Sequence, residues 1–344
     1  MFNKRQWIST SIVIAACSGM GAVVAQEVTL KFQHVWPAAG DTSQQAILPW
    51  CNKIAAESSN KIKCQLFASM SAGGSAPQLV DRVKDGVDDV VMTLPSYTAG
   101  RFPSLEVFEL PFMTYQAEGS SKAVWDYAQK YSVKEFPGTK LLAIWVHDEG
   151  YIHNAGKQIK TTADIKGMKI RSPHRSGLKM LNALGASAVA MSIAGVQDGI
   201  SKGTLDGAMV PWEAAIDFRI SDVAKFTTET PQSRPAMYTA VISLLMNQAK
   251  YDSLPADLRT VIDRNSGAQL SASMGKRWDN SQAAARKAAQ ARGNTIYVLP
   301  DTEIDVWMKT TAPVVDEWVS DVEKRSLPGK VMLQDARDLL KKYK

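Results

Sequence analysis

The stretch VTLKFQHV (28–35) alternates apolar and polar positions and is rich in β-branched residues, which predicts a strand. TSQQAILPWCNKIAAES (42–58) then changes to helical spacing, with Asp41 or Thr42 available as its cap. KIKCQLFAS (61–69) reads as a second strand. SAPQLVDRVKDG (75–86) reads as a helix with Pro77 in its first turn and Gly86 at its end, and VDDVVMTL (87–94) as a third strand. Strands alternating with helices predict an α/β lobe built on a largely parallel sheet.

A second series begins near Thr139 with TKLLAIWVH. It continues through MKIRS (168–172), the helix SGLKMLNALG, the strand SAVAMS, the helix IAGVQDGISKG and the strand LDGAMV (205–210). VDRVKDGVDDVVM (80–92) and QDGISKGTLDGAM (197–209) superpose at one constant offset of 117, pairing Gly86 with Gly203, Asp89 with Asp206, and Met92 with Met209. Each glycine stands where a helix needs a residue tolerant of positive φ. In open α/β sheets ligands sit outside the carboxyl ends of the strands, so two such lobes would present those ends to one cleft.

The length of 344 residues agrees with two lobes, and 45% apolar with 22% charged residues is a globular composition. From Tyr251 to about Arg292 the pattern reads as one very long helix or two in series, able to brace both lobes. DTEIDVWMKTTAPVVDEWV and VMLQDARDLLKKYK add terminal helices, the basic tail reading as a solvated face. The expected division is lobe I from 26–149 plus about 237–275, lobe II from 150–236 plus about 276–300, and C-terminal helices from 301–344 packed on the lobes.

Residues 1–25 carry Lys4 and Arg5, an apolar run from Ile12 and small residues at Val23 and Ala25, the pattern of a secretory signal peptide. Ile14-Ala15-Ala16-Cys17 offers a competing lipoprotein cut at Cys17. Either places the mature chain in the periplasm. Loss of the leader lowers the net charge from +6 to +4, far from the dense basic face that nucleic acid demands. Cys51 and Cys64 remain, and in an oxidising compartment they are expected to form a disulfide.

No nucleophile elbow, H-E-x-x-H, paired C-x-x-C, EF-hand or phosphate-loop lysine occurs in the sequence. His34 and His153 lack metal-ligand spacing and read as structural or cleft histidines. No enzyme, metal or cofactor is therefore expected. The basic stretch GMKIRSPHRSG (167–177) is different. Arg171 follows Met168 and Ile170 to the carboxyl end of a strand, where a guanidinium held rigidly at a cleft can clamp a carboxylate through two parallel hydrogen bonds. Lys169 alternates away toward solvent, while Arg175 and His174 are secondary candidates at the start of the next helix.

LKFQHVWP, GMKIRSPHRSGLKMLNALGASAVAM, SKGTLDGAMVPWE and SLPADLR, in that order, resemble the solute-binding proteins of tripartite ATP-independent periplasmic (TRAP) transporters. The resemblance covers essentially the whole mature chain. It implies a two-lobed periplasmic-binding-protein fold, α/β, with a long helix spanning both lobes. It implies closure on an organic acid, with Arg171 as the carboxylate-binding arginine, and delivery to a small and a large permease subunit. Two departures stand out. Val210-Pro211-Trp212-Glu213 replaces an Asn-Pro that many sialic-acid and C4-dicarboxylate binders carry, and Tyr151 in HDEGYIHN stands where a second family arginine is expected.

These losses point to a monocarboxylate with an apolar, aromatic or hydroxylated remainder. The expected ligand site comprises Arg171, Trp212, Tyr151, His34, Trp36, Arg175, Glu213, Pro95, His153 and Glu149, with Phe112 as a further apolar contact. A C4-dicarboxylate binder of the same family, an exported enzyme acting on the acid, and a ligand-sensing protein feeding a sensor kinase are the competing readings. A monomer is expected.

Overall fold

A computed structural model describes residues 27–344; the leader and Cys17 lie outside the described residues. The strands run in chain order as β1 (Val28–His34), β2 (Ile62–Phe67), β3 (Val90–Thr93), β4 (Thr139–Val146), β5 (Gly150–Asn154), β6 (Lys169–Ser172), β7 (Ser187–Ala190), β8 (Gly207–Pro211), β9 (Phe226–Glu229), β10 (Val241–Asn247) and β11 (Thr295–Val298). They form two sheets, ordered β2-β1-β3-β10-β4 and β11-β9-β5-β8-β6-β7.

In the first sheet β1, β2 and β3 are parallel and β10 runs antiparallel between β3 and β4. In the second, β6, β7 and β8 are parallel and β5 runs antiparallel between β8 and β9. The sheets are thus two copies of one plan. The central strands β3, β8 and β10 are buried at every position, as strands covered on both faces by helices must be, which explains their nearly unbroken apolar sequences.

The repeat at offset 117 is physical. Gly86 and Gly203 both have positive φ, 73° and 69°, so each ends its helix where a side chain would be strained. Asp89 then accepts the Lys31 N–H at 2.8 Å, and Asp206 accepts the Lys169 N–H at 2.7 Å. Each aspartate pins its strand's entry to the neighbouring parallel strand, and the pairing of β3 with β1 mirrors that of β8 with β6.

TKLLAIWVH heads the second series of elements in the sequence but lies within 26–149. It is β4, which closes the first sheet because its whole length pairs with β10. The chain crosses to the second sheet just after it, through His147-Asp148-Glu149, and returns between β9 and β10. The predicted long helix is broken at Gly267 into Ala256–Arg264 and Ala268–Ala291. The second of these is 24 residues long and follows the first lobe's helices before leading into β11, so it runs alongside both lobes. Asp279 on it caps the N–H groups of Ala117 and Glu118 at 2.7 and 2.8 Å, while Arg286 binds Glu229 of β9 at 2.9 Å.

Cys51 and Cys64 form a disulfide with Cα atoms 5.8 Å apart, tying the first helix to β2. The C-terminal helices Asp301–Thr311, Pro313–Glu323 and Gly329–Lys342 restart at or just after prolines. Trp307 fills the core of the second lobe, and Trp318 and Met332 join that of the first. No helix of the described residues is long and apolar enough to cross a membrane.

Candidate functional site

Between the lobes lies a cavity of about 40 Å³. Val35, Trp36, Leu94 and Tyr97 reach it from the first lobe, Arg171, Ile193, Pro211 and Phe218 from the second, and His147, Tyr238 and Trp278 from the crossing segments and the spanning helix. The lining is apolar apart from a few side chains. One of these is charged.

Arg171 sits at the carboxyl end of β6 and is only 2% exposed. Its Nε–H donates to the Met191 carbonyl at 2.8 Å and one terminal nitrogen to the Met209 carbonyl at 3.1 Å, which fixes the plane of the guanidinium. The other terminal nitrogen is buried without a partner. No carboxylate pairs with Arg171 among the described residues. Burial pushes its pKa down, the Tyr97 hydroxyl beside it acting the other way, yet an arginine stays charged. An unpaired buried cation is costly, and an anion reaching its free N–H would offset that cost.

The histidines add no second charge. His147 donates from Nδ1 to the Asp148 carbonyl at 2.5 Å and accepts the Ala240 N–H on Nε2 at 2.9 Å, and burial lowers it to about 4. His174 caps the helix after β6 by accepting the Gly177 N–H at 2.9 Å, and burial brings it to about 3. Both rings are neutral at pH 7. The cavity therefore holds one fixed positive charge, and no carboxylate lines it.

Of the residues expected at the ligand, Arg171 and Trp36 line the cavity and the others are placed elsewhere. Trp212 is turned from it: its indole N–H donates to Glu229 at 2.6 Å and its ring packs edge-on against His153 at 4.7 Å. Tyr151 and His153 share one face of β5 because side chains alternate. The Tyr151 hydroxyl donates to Glu149 at 2.8 Å and meets Gln282 of the spanning helix. His153 bonds the Val210 carbonyl and the Thr227 hydroxyl.

Glu213 binds Arg277 at 2.7 Å, and Arg277 also reaches Asp41 of the first lobe at 2.6 Å. Asp217 accepts the Asp41 N–H at 3.0 Å, so the loop at 37–42 grips the second lobe. Arg175 pairs with Asp321 at 2.6 Å, away from the cavity. His34 is buried beside Trp36 without lining the cavity, and Pro95 faces a small void near Glu109. Phe112 lines a separate groove. Sequence reasoning missed Tyr97, His147, Tyr238 and Trp278. Each comes from a turn, a crossing segment or the spanning helix, where no periodicity says which side faces a cleft.

Residues 32–321 match the family model described as bacterial extracellular solute-binding protein, family 7. A TRAP solute-binding protein from Rhodoferax ferrireducens, solved with copurified benzoate, is 43% identical, with a TM-score of 0.90 over 92% of this chain and 98% of that one. A marine metagenome TRAP solute-binding protein specific for aromatic acid ligands, solved with 3-hydroxybenzoate, is 39% identical, with a TM-score of 0.90 over 92% and 99%. An outer membrane transporter protein of Comamonas testosteroni is 25% identical over 96% of each chain.

Proposed function

This chain belongs to the bacterial extracellular solute-binding proteins of family 7, and from that premise we propose that its cleft captures a small aromatic monocarboxylate, of the benzoate class, without transforming it. It is a periplasmic solute-binding protein of a TRAP transporter for organic acids, a system whose membrane permease is its partner. The acid is handed to the small and large permease subunits.

The observation that carries the reading is Arg171, a buried cation with a free N–H and no carboxylate partner, facing an apolar interlobe cavity. The carboxylate takes the guanidinium edge, with Tyr97 beside it. The ring lies among Trp36, Leu94, Phe218 and Trp278. A second carboxylate, or the many hydroxyls of a sugar acid, would lose water without finding donors and would bind far more weakly. The lining comes from both lobes and is mostly buried, so the acid enters an open form and favours the closed one in which every contact is made.

A thermal-shift and calorimetric panel of benzoate, 3-hydroxybenzoate, mandelate, succinate and gluconate tests the reading. The aromatic monocarboxylates are expected to raise the unfolding temperature, because a ligand binding only the folded state at 100 times its Kd adds about 2.7 kcal/mol of stability. Tighter binding of succinate than of every aromatic acid would overturn it.

A further inference from the structure

A second cavity, of about 490 Å³, opens beside the hinge and takes no part in the cleft. That volume lies in the range of small-molecule sites, roughly 300 to 1,000 Å³. Its apolar floor includes Phe112, Met113, Met308 and Leu340, and its rim carries Arg337, Lys341 and Lys344, the last with its Nζ over the Tyr115 ring. No acidic side chain lines it. Arg337 and Lys341 are exposed and lack a carboxylate partner among the described residues. An apolar floor with an uncompensated cationic edge matches one kind of ligand: an organic anion whose body is apolar.

The floor is strained where it meets the hinge. Phe112 has a φ of +53°, a conformation rare for a bulky residue and one that persists only when its surroundings impose it. The Phe112 N–H donates to the Met237 carbonyl at 3.3 Å, and the Ala236 N–H donates to the Thr114 carbonyl at 2.9 Å. Residues 236–240 are the segment by which the chain returns to the first lobe, and Tyr238, next to Met237, lines the central cavity. Whatever rests on Phe112 is therefore one backbone hydrogen bond away from the crossing segment.

We propose that this groove is a second binding site, for an amphipathic organic monoanion whose apolar body lies on Phe112, Met113 and Met308 and whose charge meets Arg337 and Lys341. The site is independent of the identity of the acid in the cleft. Its occupant rests on Phe112, which is bonded to the crossing segment at Met237, so an occupant that prefers one lobe arrangement links its affinity to that of the cleft ligand, each changing the other by the same factor.

The probe is 8-anilinonaphthalene-1-sulfonate, an apolar body with one sulfonate. Its fluorescence is titrated with the full-length mature protein and with the double variant Arg337→Glu/Lys341→Glu. A Lys84→Glu/Lys202→Glu control changes net charge equally at residues that line no cavity. Saturable one-site binding that weakens at least tenfold in the groove variant and less than threefold in the control is expected. That binding should persist under excess benzoate, with a shifted Kd.

No saturable binding, equal weakening in both double variants, or simple competition by benzoate would overturn the groove site. A separate calorimetric titration of benzoate keeps the two readings apart. If benzoate fails to bind there, the aromatic-acid reading of the cleft falls, while the comparison of variants still judges the groove.

Discussion

Replacing Arg171 with alanine isolates the interaction proposed to hold the carboxylate. In the wild type the guanidinium is held by two carbonyls, of Met191 and Met209, and one terminal nitrogen has no partner. A carboxylate arriving there makes charge-assisted hydrogen bonds worth about 1.5 to 3 kcal/mol each. In the variant it would be buried unpaired, and removing one partner of a buried charged pair costs roughly 2 to 5 kcal/mol. Taking about 3 kcal/mol as the central value, benzoate affinity should fall roughly 150-fold.

The fold should survive, because deleting an uncompensated buried cation offsets the loss of its two hydrogen bonds. Calorimetric titration at pH 7 reads the affinity and a urea melt checks stability. Arg171→Lys keeps the charge without the fork and should fall between the two. An alanine variant that folds and binds benzoate within threefold of wild type would mean that the carboxylate is held by something else.

Other perturbations test the frame around the cleft. Cys51→Ala/Cys64→Ala opens a loop of 13 residues' separation; a loss of about 3 kcal/mol in urea unfolding is expected, with benzoate affinity unchanged because neither cysteine lines the cavity. Gly150→Ala would place a Cβ 2.1 Å from the Tyr238 ring; it should cost about 1 to 3 kcal/mol of stability and weaken binding, as Tyr238 lines the cavity. A Gly150→Ala protein with wild-type melting and affinity would show that the crossing segments have room to spare.

His153 is lowered by burial to about 3, so it is neutral in the fold and takes up a proton on unfolding as pH falls below about 6.5. Its contribution therefore lowers stability from pH 6.5 down toward 3. In His153→Gln the slope of unfolding free energy against pH near 5 should be shallower by about 1.4 kcal/mol per unit, and an unchanged slope would count against a buried neutral ring.

The place of Arg171 at the cavity was legible because one strand end carries a charged residue after two apolar ones, Met168 and Ile170, and a strand end fixes direction. Trp212 misled for a related reason. It follows strand β8 directly, but the helix starting there rotates it toward Glu229 instead of the cavity. Tyr151 and Glu149 stand beside the crossing, where the structure bonds Glu149 to the Tyr151 hydroxyl and that hydroxyl to Gln282 of the spanning helix. The four cavity residues missed, Tyr97, His147, Tyr238 and Trp278, are separated by up to 181 positions in the chain.

Local chemistry therefore determined a good deal by itself. Alternation and helical spacing specify the α/β units, Gly86 and Gly203 with Asp89 and Asp206 specify that the two lobes repeat one plan, and two cysteines in an exported chain specify a bridge. These features depend on interactions between residues close in sequence or on a backbone preference carried by one residue. Tertiary structure alone decided that β4 belongs to the first sheet, because sheet membership depends on pairing with β10 some 100 residues later. It alone decided which aromatic rings meet Arg171, because a cleft is assembled from two lobes, a hinge and a spanning helix whose mutual orientation is set by packing.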